Sequence, residues 1–170
     1  MIFVTVGTHE QPFNRLLEYI DGLKKQGTIA EPVIMQTGFS TYQPEFCEWE
    51  RLFPFSRMQE LIEEARIVIT HGGPSSFLAP LRLGKIPIVV PRQRQYGEHI
   101  NDHQTDFCRE VARRHKNIIE VEEIRLLGGI LQNYDTITSQ MEFDQKSNNQ
   151  KFCEEFAEMV RALFGSGERE

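Results

Sequence analysis

The sequence predicts an α/β fold in which a doubly wound, mainly parallel sheet carries helices on both faces. Short runs of apolar, β-branched residues alternate along the chain with longer segments whose apolar residues recur at helical spacing. Many of these runs are bounded by glycine or proline, which mark turns. Because parallel strands must be joined by crossover connections, strands that alternate with helices indicate right-handed βαβ units.

Each element follows from a local pattern of residues. The predicted strands are the apolar runs at residues 2–6, 32–37, 48–53, 66–70, 86–90 and 117–121. The predicted helices cover residues 13–25, 56–65, 74–83 and 99–115. Ser56 suits an N-cap, Pro74 suits the first turn of a helix, and Gly84 suits the position just after a last turn.

The chain is predicted to have three parts. Residues 1–130 contain the strands and helices and form the α/β domain. Residues 131–150 are rich in polar side chains and are interpreted as a mobile connector. Apolar residues return at helical spacing after residue 151, so residues 151–170 are predicted to be a C-terminal docking helix and its tail.

Composition and charge exclude several classes of protein. The 170 residues include 19 basic and 25 acidic side chains, and this net charge of -6 opposes binding to nucleic acid. Cys47, Cys108 and Cys153 are far apart, so neither a disulfide framework nor a thiolate zinc site is predicted. The chain shows no signal peptide and no apolar stretch near the roughly 20 residues of a membrane span, which predicts a cytoplasmic protein.

Two turns after predicted strands have the composition of a phosphate site. Ligands of parallel sheets bind at the carboxyl ends of the strands, where glycine lets the backbone approach them and helix N-termini attract anions. The candidate residues in these turns are Gly7, Thr8, His71, Gly72, Gly73, Ser75 and Ser76. The alternative is that the glycines make tight turns, the serines cap helices and His71 merely ends a strand. Neither turn has the spacing of a dinucleotide fingerprint or a P-loop.

The loop after the fifth predicted strand is crowded with polar side chains. Arg92 offers a guanidinium fork for phosphate oxygens, and Glu98 offers acceptors for sugar hydroxyls. A plain surface loop is the alternative. A metal site is a weaker one, because His99 and His103 are spaced i, i+4 in the predicted helix but lack the glutamate that follows the first histidine in H-E-x-x-H enzymes.

Three stretches of the sequence together resemble the C-terminal, donor-binding half of GT-B glycosyltransferases. They are Val6-Gly7-Thr8, the run ITHGGPSS at residues 69–76, and residues 84–104 from GKIPIVVP to NDHQ. They occur in order over residues 1–125. Among these enzymes the chain is most similar to the small stand-alone subunits of bacterial exopolysaccharide and capsule galactosyl- or glucosyltransferases. The catalytic subunit of the dolichol-linked N-acetylglucosamine transferase is a more distant relative.

The resemblance implies a Rossmann-like fold, an inverting transfer and a nucleotide-sugar donor, UDP-linked and held across the strand ends. It implies that Gly7 and Thr8 face the diphosphate and that His103 and Gln104 hold the sugar, with the diphosphate and ribose region lined by Gly72, Gly73, Ser75 and Ser76. Arg92 is our own addition, as a side chain that stabilises the departing diphosphate. No metal and no cofactor are expected.

One position departs from the pattern of the family. Many of these domains carry a glutamate that grips the ribose on the helix after the glycine turn, and Ala79 stands at the matching place. Glu98 could replace that carboxylate from the neighbouring loop. The alternatives are that water and backbone hold the ribose, or that the donor binds weakly without a partner.

The resemblance covers half of a GT-B active site. It therefore implies a second, membrane-anchored polypeptide that binds a polyprenyl diphosphate-linked saccharide at the cytoplasmic membrane face and supplies the general base. His9 lies near the expected cleft, but the resemblance places the base on the partner. Two other readings stay open: a non-catalytic module that activates the partner transferase, and a nucleotide-sugar epimerase.

Overall fold

A computed structural model describes residues 1–141 of the chain. Its centre is one six-stranded sheet in which all neighbouring strands are parallel. Helices pack on both faces of this sheet. The predicted Rossmann-like α/β fold class is therefore confirmed. The predicted docking helix and residues 142–150 of the predicted connector lie outside the described residues.

Along the first 120 residues strands alternate with helices, except that two strands follow one another without a helix between residues 33 and 50. The strands are β1 (Ile2–Thr5), β2 (Val33–Gln36), β3 (Glu48–Glu50), β4 (Ile67–His71), β5 (Ile88–Val90) and β6 (Ile119–Glu120). The helices are α1 (Asn14–Lys25), α2 (Phe55–Glu64), α3 (Pro74–Arg82), α4 (His103–His115), α5 (Leu127–Gln132) and α6 (Tyr134–Ser139). Short 3₁₀ turns at Arg94–Tyr96 and Ile124–Leu126 complete the loops.

The strand order β3-β2-β1-β4-β5-β6 positions the candidate site. β1 and β4 lie side by side in the middle of the sheet, with Thr5 opposite Thr70. From β1 the chain moves outward to one side, and from β4 it moves outward to the other. The loops that leave these two strands therefore diverge and open a crevice at the carboxyl edge, which is where ligands of such sheets bind.

The core is divided between the two faces of the sheet. On one face, Ile2 and Val4 of β1 pack with the apolar stripe of α1 and with α5 and α6. On the other face, Phe3 of β1 packs against α2, and Val89 of β5 packs against α3 and α4. The alternation along β1 follows from the two-residue period of a strand, and full burial of each such side chain contributes roughly 2 kcal/mol.

Three local differences from the predicted elements have physical reasons. α4 begins at His103 rather than 99, because the preceding residues follow a left-handed Gly97 and hold Glu98 inside the molecule. Pro54 rather than Ser56 precedes α2, so Ser56 is not its N-cap. Within the predicted connector, α6 is helical, and the Tyr134 hydroxyl donates to the Ile86 carbonyl across 2.6 Å.

Candidate functional site

The imidazole of His71 lies between two glycines at the centre of the carboxyl edge. A Cβ atom added to Gly7 would lie 2.4 Å from Nε2, and one added to Gly73 would lie 2.2 Å from Cε1. Gly7 also has a backbone φ of 75°, which residues other than glycine rarely adopt. The two glycines predicted to approach a ligand therefore also make room for the histidine between them.

The hydrogen bonds of His71 define its tautomer. The Gly73 N–H donates to Nδ1 across 3.0 Å, and Nε2 lies 2.9 Å from the Ser76 hydroxyl. Burial, together with the charge of Arg92, lowers the pKa of His71 to about 4, so the ring is neutral near pH 7. A neutral ring that accepts at Nδ1 carries its proton on Nε2 and donates it to Ser76. The Ser76 hydroxyl can then donate its own proton outward.

Gln104 joins the ends of β4 and β5 to the first turn of α4. Its Oε1 accepts from the Gly72 N–H across 3.0 Å and from the Arg92 N–H across 3.1 Å. Gly72 packs closely on α4, since an added Cβ would lie 2.8 Å from the Cys108 Sγ. Gln104 thus fixes the spacing between the turn after β4 and the loop after β5. The neighbouring His103 is exposed.

Arg92 lies inside the protein beneath the predicted site. Its side chain is 0% exposed, and its guanidinium donates to the carbonyls of Gln11 at 2.7 Å, Val6 at 2.9 Å and Glu98 at 3.1 Å. Burial lowers the pKa of Arg92 to about 10, which still leaves it charged at neutral pH. Its charge adds to the effect of burial in lowering the pKa values of His9 and His71. The carboxyl edge is therefore locally electropositive on a chain of net charge -6.

Glu98 is also buried, at 2% exposure. Its two oxygens accept from the Arg15 guanidinium at 2.8 and 2.9 Å, and one of them also accepts from the Gln93 N–H at 3.0 Å. These contacts hold the loop after β5 against α1. The predicted contact between Glu98 and a ribose would require these hydrogen bonds to be broken.

The remaining predicted residues line the opening of the crevice. Thr8 and Ser75 are exposed, and Ser76 is partly exposed. α3 begins at Pro74, and Gly73 before it supplies no capping side chain. In this turn Pro74 has no N–H and the Ser76 N–H donates to the Gly73 carbonyl, so the Ser75 N–H is the group available to an anion.

A groove runs from this opening between α2 and α3. It encloses about 640 Å³ and is mostly apolar, with Phe55, Met58 and Ala79 along its walls. Its polar and charged lining residues are Thr5, Gln59, Glu63, Ser75, Ser76 and Arg82. Ala79 packs beside the Phe3 cluster of the core. The wall therefore presents a methyl group where the family resemblance leads one to expect a carboxylate.

Several residues at the site were missed in the sequence. Gly38 after β2 has φ of 55°, and an added Cβ would lie 2.5 Å from the Gly7 carbonyl oxygen. A glycine directly after a predicted strand was the available signal. Arg15 gave no comparable signal, because its partner Glu98 is distant in sequence.

The rings of His9 and His99 lie close together at the same edge, with centroids 4.9 Å apart.

Residues 1–141 were also searched for metal-binding groups and membrane spans. Within this part of the chain, no three His, Cys, Asp or Glu side chains are arranged to hold a metal ion. The prediction that His99 and His103 lie one turn apart on the same helix is wrong, because His99 precedes α4 while His103 is its first residue. No helix of residues 1–141 combines the length and apolarity needed to cross a bilayer.

The fold and the candidate site define an α/β domain with a polar crevice at the carboxyl ends of its strands. The chain belongs to the glycosyltransferase family 28 C-terminal domain family, whose model matches residues 1–160. It is thus a glycosyltransferase C-terminal domain.

Among solved structures, the chain is similar to the crystal structure of the glycosyltransferase SnogD from Streptomyces nogalater. The sequences are 16% identical, and the TM-score is 0.49. The match covers 89% of this chain and 43% of SnogD, so the chain spans less than half of that enzyme. No curated protein sequence matches the chain.

Proposed function

We propose that this domain binds a UDP-linked sugar, namely UDP-galactose, UDP-glucose or UDP-N-acetylglucosamine, with its diphosphate between the turns after β1 and β4. The observation that carries the proposal is the convergence of donors on one crevice. The Thr8 and Ser75 side chains are exposed at its opening, and the Ser76 hydroxyl is oriented outward by His71. The N-terminus of α3 points to the same place.

The electrostatics of the crevice support an anionic ligand. Arg92 contributes a buried positive charge, which together with burial lowers the pKa values of His9 and His71 at the same edge of the sheet. We therefore retain Arg92 as the stabiliser of the departing diphosphate. It would act through its charge across the Val6 and Gln11 carbonyls rather than by direct contact.

The groove between α2 and α3 is the proposed place for the nucleoside. Its volume of about 640 Å³ is within the range of small-molecule sites. Ser75 at the end of the groove near the carboxyl edge would contact the ribose, since Ala79 offers no carboxylate and Glu98 is engaged with Arg15. The transferred sugar would lie on the other side of the diphosphate, toward His103 and Gln104.

In the proposed reaction, an acceptor hydroxyl displaces UDP from the anomeric carbon with inversion. A membrane-anchored subunit would present the acceptor, a polyprenyl diphosphate-linked saccharide, and would supply the general base. This assigns the domain to exopolysaccharide or capsule synthesis at the cytoplasmic face of the membrane. The proposal involves no cofactor and no metal.

Calorimetric titration of the full chain with UDP and the three UDP-sugars tests donor binding, with ADP as the specificity control. We expect saturable binding of UDP that Thr8→Ala weakens. The matched control is Thr136→Ala, because Thr136 is an exposed threonine of α6 at the opposite edge. UDP at 100 times its dissociation constant should also add about 2.7 kcal/mol to the stability. Absence of both heat and stabilisation would overturn the proposal.

Ala79 favours a second candidate function, a non-catalytic module that activates the partner transferase. Such a module would raise sugar transfer on membranes that contain the partner but would not bind UDP. Reconstitution of transfer with wild-type chain and with Thr8→Ala separates the two functions. A donor-binding subunit loses activity with the variant, whereas an activating module keeps it.

A further inference from the structure

His9 and His99 form a pair of imidazoles at the carboxyl edge. His9 follows Gly7 in the loop after β1, and His99 lies in the loop after β5. Their ring centroids are 4.9 Å apart, and the ring planes are inclined by 56°. Two loops from different strands therefore bring the pair together above Arg92.

The two rings share the same hydrogen-bond pattern. The Gln11 N–H donates to Nδ1 of His9 across 3.2 Å, and the Asn101 N–H donates to Nδ1 of His99 across 3.4 Å. In a neutral imidazole this arrangement places the proton on Nε2. The pair therefore holds two N–H donors in fixed tautomers.

Both Nε2 atoms are available to a ligand. Among residues 1–141, neither atom has a hydrogen-bond partner, and neither is among the fully buried unpaired atoms, so solvent reaches both. His71 differs, because its Nε2 is engaged with Ser76.

The surroundings of His9 favour its neutral form. Burial, Arg92 and His99 lower the pKa of His9, and only Glu10 acts in the opposite direction. A second proton on the His9 ring would also have to occupy Nδ1, where it would displace the Gln11 N–H. His9 can therefore donate to an anion without carrying charge.

We propose that His9 and His99 bind an oxygen of the donor diphosphate through their two Nε2–H groups, as a clamp. This inference rests on the proposed function and adds two binding residues to that site. The clamp would bind the phosphate whose oxygen leaves the anomeric carbon with UDP, because His9 lies within the field of the Arg92 charge that is proposed to stabilise that departure.

Two substitutions of His9 test its Nε2–H donor separately from the hydrogen bond that Nδ1 accepts from the Gln11 N–H. His9→Gln places an amide N–H near the position of Nε2, while His9→Asn keeps a short acceptor for the Gln11 N–H but removes the distant donor. Loss of a hydrogen bond to a charged oxygen should weaken binding about tenfold or more in His9→Asn. His9→Gln should stay within about threefold of wild type. His115→Asn, on an exposed histidine at the end of α4, is the matched control.

The titrations use UDP and inorganic pyrophosphate at pH 7.0, 8.0 and 9.0. If His9 donates as a neutral ring, the ratio of the His9→Asn and wild-type dissociation constants should stay constant with pH. A cationic histidine predicts a ratio that falls toward one as the pH rises, and that result would overturn the inference. Equal affinities of His9→Asn and wild type would also overturn it, while leaving donor binding intact.

The two probes distinguish the inference from the function on which it rests. Pyrophosphate binding that depends on His9, without UDP binding, would support the clamp and contradict a UDP-sugar site. Binding of neither probe would overturn both. Unfolding midpoints of the variants identify a loss that comes from misfolding, and His99→Gln and His99→Asn then repeat the comparison on the second ring.

Discussion

Acidification should destabilise the protein through His71, and substitution by glutamine should remove that effect. The ring is enclosed by Gly7 and Gly73 and accepts the Gly73 N–H at Nδ1, so a proton added to it has no acceptor in the folded state. The unfolded chain has no such restriction. Protons therefore bind the unfolded state first, and folding becomes less favourable as the pH falls.

The pKa difference sets the magnitude of this effect. The pKa of His71 is about 4 in the folded protein against an ordinary value of 6.5. Each unit is worth about 1.4 kcal/mol, so the folded protein loses about 3 kcal/mol once the pH falls below both values. The contribution is fully present above pH 6.5, and about 1 kcal/mol of it is lost by pH 5.5.

Urea denaturation of wild type and His71→Gln between pH 7.5 and 4.5 measures the effect. Other groups, including Asp21 and Glu31 with their lowered pKa values, titrate equally in both proteins. The difference between the two free energies of unfolding should therefore change by 2 to 3 kcal/mol across this range, a rough figure from the linkage relation. A difference that stays constant with pH would refute the assignment of a neutral, largely enclosed His71.

Three further substitutions test the packing of the site by urea denaturation. Gly73→Ala places a Cβ 2.2 Å from the His71 ring and should cost about 2 kcal/mol and abolish UDP binding. Glu98→Gln breaks a buried pair with Arg15 and should cost about 3 kcal/mol. Gln104→Ala leaves two backbone N–H groups unpaired and should cost about 2 kcal/mol.

Matched controls accompany these variants. Gly22→Ala in α1 adds a Cβ with nothing within 4 Å and should stabilise the protein by about 0.5 kcal/mol or more. Glu60→Gln removes an exposed pair with Arg57, and Gln132→Ala alters an exposed glutamine, so each should change stability by less than about 0.5 kcal/mol. Costs for the site variants no larger than those of their controls would contradict the packing described here.

The regular part of the fold could be predicted because its signals are local. β1 and β4 are short apolar runs whose side chains are buried on both faces, and α1 has one continuous apolar stripe. Helices α5 and α6 lacked such a signal. Gly128 and Gly129 weaken the helical pattern of α5, although Gly128 lies where it packs closely on Leu23.

The candidate site could be predicted in location but only partly in mechanism. Glycines after strands revealed the crevice, since their position depends only on strand ends. Arg92 and Glu98 were expected to face a ligand, because the sequence shows a charge but not its partners. In the fold, Val6 and Arg15 supply those partners from distant parts of the chain and draw both side chains inside.

An amide-resolved NMR titration of the ¹⁵N-labelled chain with UDP tests the central claim most directly. Binding at the diphosphate site predicts saturable shifts of the Gly7, Gly72 and Gly73 amides, which are resolvable as glycines. The amide of Thr136 at the far edge should stay unchanged. Shifts confined to other regions, or no shifts at saturating UDP, would contradict a nucleotide site at the junction of β1 and β4.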